Sequence, residues 1–371
     1  MTAASADVPR PTSTRRGELK RGLLSPTPLA LVAGLALTAL ALAGIQWLVT
    51  SGAFTVVPEP HVLRMASDDW GHVSYEVGLL KRHPPRHTPV YLLGGSNLRV
   101  SIVGEGSLAA ALERKTGVPI EVHDFGSNEQ NLGETMAIID NLPRTGGIVV
   151  ISVNQTRFSY SPDQIRPAVS GRRIVLLSPA LARFMASQGM PLRYPQTILG
   201  GIFGYIASWV QHNRGDLIRL RFPPVYFQLH PAYHVFPRSE KERVATNYLR
   251  HAGHTGGAFD RYFAFNAALL DATVRLARQR GFTVVLMEAP ENHQIVGSRF
   301  DRLKAIYQPF CRALAARDGA YYVNFTDQIG LVNTDFRDLT HLMPAGRVKW
   351  QRALVDALAP RLTTGDTAVP K

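Results

Sequence analysis

Four short stretches of this 371-residue chain carry residue types that could do chemistry together. Gly94-Gly95-Ser96-Asn97 follows the apolar run Val90–Leu93, and Asp124-Phe125-Gly126-Ser127-Asn128 follows Ile120–His123. Ser152-Val153-Asn154-Gln155 closes the apolar run Gly147–Val153, and Asp335-Phe336-Arg337-Asp338-Leu339-Thr340-His341 stands just before the last helical stretch. A serine at a strand-to-helix turn is well placed as a nucleophile, because the glycines permit the turn and a helix N-terminus favours developing negative charge. Its proton must go to a histidine held by a carboxylate. Asp338 and His341, three residues apart, supply both from one loop. The tetrahedral oxyanion then needs donors, for which the Ser96 N–H, the backbone N–H near Gly126 and the Asn154 amide are the candidates. Each signal alone has an ordinary reading: a Gly-Gly-Ser turn, a loop histidine with a capping partner, an asparagine capping the next helix. The serine is not in a G-x-S-x-G elbow, since Leu98 occupies the fifth position.

The elements that must position these residues follow from periodicity. Val90–Leu93, Ile120–His123, Gly147–Val153, Phe282–Met287 and Ala320–Phe325 read as five strands. Helical stretches separate them at Asn97–Lys115, Glu134–Leu142, Phe259–Arg280 and Phe300–Arg317, and a last helix covers Gly346–Leu358. Strands alternating with helices, the third apolar on both faces, imply a three-layer α/β domain around a parallel five-stranded sheet. In such sheets sites form at the carboxyl ends of the strands, where all four stretches fall. The expected organisation is a basic tail (1–27), an anchor (28–50), a stalk (51–87), a first half-domain (88–158), an insertion after strand three (159–258), a second half (259–362) and a flexible tail (363–371).

Together and in this order, the four stretches resemble the SGNH/GDSL hydrolase family. The matching positions are Ser96, Gly126, Asn154, and Asp338 with His341, with Gly133 in Gly133-Glu134-Thr135 an alternative for the second block. The resemblance implies a flavodoxin-like sheet and acyl transfer or hydrolysis through an acyl-serine. It covers about residues 88–158 and 260–360. The sequence departs from the family pattern in reading Gly94-Gly95-Ser96 for Gly-Asp-Ser and Ser152-Val153-Asn154-Gln155 for Gly-x-Asn-Asp. It is most similar to the membrane-anchored branch, which includes D-alanyl-lipoteichoic-acid accessory proteins and polysaccharide O-acetylation factors. That likeness implies O-acyl esters of cell-envelope glycans or their carriers as substrates and a membrane-bound O-acyltransferase as a possible partner. Lipid or thioester hydrolysis and a non-catalytic scaffold of the same fold are the alternatives.

Leu29–Val49 is free of charge and long enough for a bilayer core, and Arg10, Arg15, Arg16, Lys20 and Arg21 precede it. The positive-inside rule then expects a single-pass cytoplasmic-membrane protein, its N-terminus cytoplasmic and its body extracytoplasmic. Thr14–Lys20 also resembles a twin-arginine export signal, and Ala41-Leu42-Ala43 a peptidase site. With 41 Lys+Arg against 28 Asp+Glu the net charge is +13, but the basic residues are dispersed, so no nucleic-acid function is expected. An apolar content of 45% excludes general disorder, and the single Cys311 excludes a disulfide scaffold. No cofactor or metal is expected. His230 with His234 and His251 with His254 have ligand-like spacing but no completing acidic or Cys ligand. Phe203, Tyr205 and Trp209 read as core or acyl-contacting residues, and Glu288 and Glu291 as site-lining or solvated.

Overall fold

Strands buried on both faces set the sheet, as in β-segments 148–153 and 283–288. A computed structural model describes residues 27–169, 176–190, 199–230, 234–251 and 257–363, and these divide between Trp47 and Leu48 into two compact units. In the first, helix α1 (Pro28–Thr50) begins; it is long and apolar enough to cross a membrane. The basic residues before it, the export-like Thr14–Lys20, His254 and the 364–371 tail lie outside the described residues.

In the second unit, short helical turns at Ala53–Val56 and Glu59–Val62 lead into helix α2 (Asp69–Arg82), followed by β1 (Thr88–Leu93), α3 (Glu105–Thr116), β2 (Ile120–Asp124), α4 (Leu132–Asn141) and β3 (Ile148–Val153). The connection onward holds α5 (Pro162–Val169), α6 (Pro179–Ser187), α7 (Leu199–Ile218), α8 (Arg238–His251) and α9 (Gly257–Gln279). The chain ends with β4 (Thr283–Glu288), α10 (Asp301–Arg317), β5 (Tyr321–Val323) and α11 (Pro344–Thr363). All strand pairs are parallel in the order β2-β1-β3-β4-β5. Successive residues point to opposite faces. Tyr91, Leu93, Val149, Ile151, Val284 and Leu286 therefore join α2, α4, α9 and α10 in one core. Val90, Leu92, Ile148, Val150, Val285 and Met287 join α3 and α11 in the other. The α/β class and the five parallel strands agree with the sequence reading.

Two expectations need correcting. Residues 51–87 are not a stalk: Val73, Val77 and Leu80 of α2 lie in the first core, because the face of β1 above them needs a helical cover. The expected helix Asn97–Lys115 is broken. A single turn, Ser96–Arg99, is followed by an irregular stretch before α3 starts after Gly104. Ser101 Oγ donates to Leu98 O at 2.7 Å there, a local bond that competes with helix continuation. The strand β5 is also shorter than Ala320–Phe325, ending at Val323 on the sheet edge.

The first turn of α11 is set tightly against the His341 loop. A Cβ added at Gly346 would lie 2.6 Å from Asp335 O and 3.0 Å from Asp335 Cβ, a backbone approach only glycine permits. Gly346→Ala is expected to destabilise the protein by about 1–3 kcal/mol, overriding the ~1 kcal/mol by which Ala is the better helix former. Denaturant unfolding of the full chain in detergent measures this, and an equal or higher stability would mean the loop yields at no cost.

Candidate active site

Ser96, Asp338 and His341 come together at the carboxyl edge of the sheet. Ser96 follows β1 after Gly94-Gly95, and the chain there is fixed by Ser127 N–H donating to Gly94 O at 3.0 Å. Gly94 has no room for a side chain, since a Cβ would fall 2.6 Å from Ser152 Cβ on β3. Ser96 Oγ lies 2.9 Å from His341 Nε2. His341 Nδ1 lies 2.8 Å from Asp338 Oδ2 and 3.0 Å from Oδ1. The three form one hydrogen-bonded chain of the Ser–His–Asp type.

Asp338 is held from several sides. Its Oδ1 accepts the N–H groups of Thr340 and His341, each at 2.9 Å, and its Oδ2 accepts Arg337 Nη2 at 2.9 Å. Burial raises its carboxyl pKa, but the hydrogen bond and charge of His341 and the two backbone N–H groups overcome this, holding it well below the usual carboxylate range. The loop itself is pinned by neighbours. Asn292 N–H donates to Leu339 O at 2.8 Å, and Lys241 Nζ donates to Phe336 O at 2.7 Å.

A cavity of about 320 Å³ opens over the triad. Asn154, at the end of β3, borders it. Its Oδ1 accepts Arg157 N–H at 3.2 Å, so the capping alternative is real; the cap also orients the amide and leaves Nδ2 without a hydrogen bond among the described residues. Gly126 stands differently from the expectation. Its N–H donates to Asp124 Oδ1 at 2.8 Å, and it does not line the cavity. Its lack of a side chain serves close packing, because a Cβ would lie 2.7 Å from Arg99 Cβ and 2.9 Å from Arg99 N. Gly133 lies inside α4 against Ile165, likewise for packing.

In the same loop Glu129 lines the cavity and has φ 52°, the left-handed region that L-residues rarely adopt. Its N–H donates to no group among the described residues, nor does that of Ser96. Surrounding bonds impose the conformation: Asn128 N–H donates to Asp69 Oδ2 at 2.6 Å, and Tyr160 Oη donates to Glu129 O at 2.9 Å. Buried Arg157 donates to Gln130 O and, at 2.6 Å, to Thr135 Oγ1. Asp69 of α2 is also paired with buried Arg99, so the segment read as a stalk supports the site. Strain held this firmly is typical of functional loops.

An apolar stretch of the cavity wall comes partly from the β3–β4 connection, through Tyr160, Phe236 and Val244 together with Phe300 and Leu339. Sequence reasoning missed these, and also Glu129, Arg337 and Lys241. Lys241 sits in the charged run Arg238-Ser239-Glu240-Lys241-Glu242-Arg243, which reads as a solvated face, yet it is 2% exposed. Phe203, Tyr205 and Trp209 of α7 do not reach the cavity. Among the described residues, Glu59, His72 and Glu76 bring ligand-type atoms within 4.8 Å of one another. His72 Nδ1 is however bonded to Glu59 Oε1 at 2.6 Å and its ring is stacked on Phe227, which explains the grouping as an ion pair. His230 Nε2 is 3.2 Å from Val103 O and belongs to no such grouping.

The chain matches no protein-family model and no curated protein.

Glu288 closes β4 at 5% exposure, with Tyr307 Oη donating to its Oε2 at 2.9 Å and Tyr322 Oη to its Oε1. Burial pushes its carboxyl pKa up to about 7, against the pull of the two hydroxyls. The folded protein therefore holds this proton more tightly than the unfolded chain. The stability it lends is complete below about pH 4.5 and is lost as pH rises to 7, by roughly 3 kcal/mol. Unfolding free energies of wild type and Glu288→Gln at pH 4.5 and 8 are expected to diverge by that amount, the variant gaining at high pH. A pH-independent difference would place the carboxyl in its ordinary range.

Proposed function

We propose that this chain is a membrane-anchored serine esterase or acyltransferase of the SGNH type, working outside the cytoplasmic membrane on O-acyl esters of cell-envelope glycans or their carriers. The observation that carries the reading is the continuous hydrogen-bonded chain from Ser96 Oγ through His341 to Asp338. The order β2-β1-β3-β4-β5, with the nucleophile after β1, an Asn after β3 and Asp-x-x-His before the last helix, supports the family resemblance. The segment between β3 and β4 is then the insertion in that fold, and it supplies one wall of the substrate cleft.

In the reaction, Ser96 Oγ attacks the ester carbonyl carbon as His341 Nε2 takes its proton. Asp338, kept ionised by its donors, holds the imidazole with Nδ1 protonated and stabilises the imidazolium. The carbonyl oxygen becomes an oxyanion, met by the N–H groups of Ser96 and Glu129 and by Asn154 Nδ2. The C–O bond to the alcohol breaks, the alcohol leaving with the proton from His341, and an acyl-serine remains. Water or a sugar hydroxyl then repeats the sequence in reverse, giving hydrolysis or transfer. A membrane-bound O-acyltransferase partner is consistent with the anchor helix and with the family branch.

Covalent labelling of the full chain by a fluorophosphonate is expected in the wild type and lost in Ser96→Ala. Asp338→Asn is expected to lower kcat for a simple aryl ester by at least a hundredfold with little change in KM. A folded wild-type chain that neither labels nor turns over an ester would favour a non-catalytic scaffold. A fusion reporter at the C-terminus active only in the cytoplasm would reject the assigned side of the membrane.

A further inference from the structure

We propose that a second cavity, next to the triad cleft, binds the hydroxyl-bearing part of the substrate, a neutral sugar unit, while the acyl group lies against the apolar wall of the cleft. This rests on the esterase reading above and adds to it a divided substrate site. The cavity holds about 440 Å³ and lies where β4 and β5 end, bordered by Glu288, Glu291, Thr326 and Asn324. Asn154, Gln155 and Thr340 border both cavities, so the two meet at the proposed oxyanion donor.

Two buried polar atoms point to a ligand here. Gln155, on the wall shared by both cavities, is 4% exposed and its Oε1 accepts no hydrogen bond; Thr326, on this cavity, is 5% exposed and its Oγ1 has no partner. Buried polar groups left without partners are costly and call for an explanation. Gln155 Oε1 requires a donor, and Thr326 Oγ1 can both donate and accept, a pairing that the adjacent hydroxyls of a sugar satisfy.

Charge narrows the class further. Glu288, Glu291, Asp301 and Asp327 border the cavity against Lys304 and His293. Lys304 is already paired with Glu291, and His293 Nε2 lies 2.7 Å from Asp327 Oδ1. Such a lining disfavours phosphate or uronate groups, although the whole chain carries +13. On the triad side Tyr160, Phe236, Val244, Phe300 and Leu339 supply an apolar stretch of wall, which suits an acyl chain.

The test uses the full chain in detergent, with an acetylated methyl hexopyranoside, the matching acetylated methyl uronate and p-nitrophenyl acetate. Thr326→Val, which keeps the shape and removes the hydroxyl, is expected to lower the ratio of hexoside-ester to aryl-ester kcat/KM at least fivefold. The wild type is expected to use the hexoside ester at least tenfold better than the uronate ester. Equal losses on both esters, no loss on either, or preference for the uronate would overturn the assignment. Saturation-transfer NMR of the methyl hexopyranoside on Ser96→Ala, with and without Thr326→Val, reads binding without turnover. Transfer that Thr326→Val abolishes supports the pocket even if the chain proves inactive as an esterase. Transfer that is absent from Ser96→Ala, while the wild type still labels with fluorophosphonate, overturns the pocket and leaves the esterase reading standing.

Discussion

Asp338 accepts the N–H groups of Thr340 and His341, the Arg337 guanidinium and the His341 imidazole. With the carboxylate so held, the imidazole has one orientation in which Nδ1 faces Asp338 and Nε2 faces Ser96. The loop in turn keeps its shape because Lys241, Asn292 and Phe236, from two other parts of the chain, donate hydrogen bonds to its backbone carbonyls. Without this convergence a histidine 245 residues away from the serine would have no reason to stop at 2.9 Å.

The opposite rim of the cleft relies on a second buried ionic feature. Asp69 of α2 pairs with Arg99 and accepts the Asn128 N–H, coupling the Ser96 turn to the loop that carries Glu129. A buried ion pair costs desolvation and adds little net stability, but removing one partner is expensive. It therefore acts here as a geometric clamp. The left-handed Glu129 is tolerable only inside such a clamp, and its backbone N–H donates to no group among the described residues.

The strands were legible because they are buried on both faces and read as continuous apolar runs, such as Ile148–Val153. Ser96, Asn154, Asp338 and His341 were legible because each stands at the end of such a run or before a clear helix. Gly126 was misleading for a physical reason: a glycine needed for close approach and one needed for an exposed N–H look the same in a sequence. The break after Arg99 was hidden because the apolar spacing of Leu98, Ile102, Leu108 and Leu112 continues across it. The residues 51–87 gave no sign of joining the core, since α2 is polar enough to pass for a surface helix while burying Val73, Val77 and Leu80.

By itself the amino-acid sequence determined the α/β class, the parallel sheet, the apolar N-terminal helix and the three residues of the hydrogen-bonded chain. Those depend on local pattern, on strand and helix periods and on residue type at a strand end. Only the tertiary structure decided that Gly126 spends its N–H on Asp124, that the β3–β4 connection contributes to the cleft wall, and that a second polar cavity adjoins it. These depend on contacts between segments far apart in the chain, where a hydrogen bond spent on one neighbour is lost to another, and no local pattern records that choice.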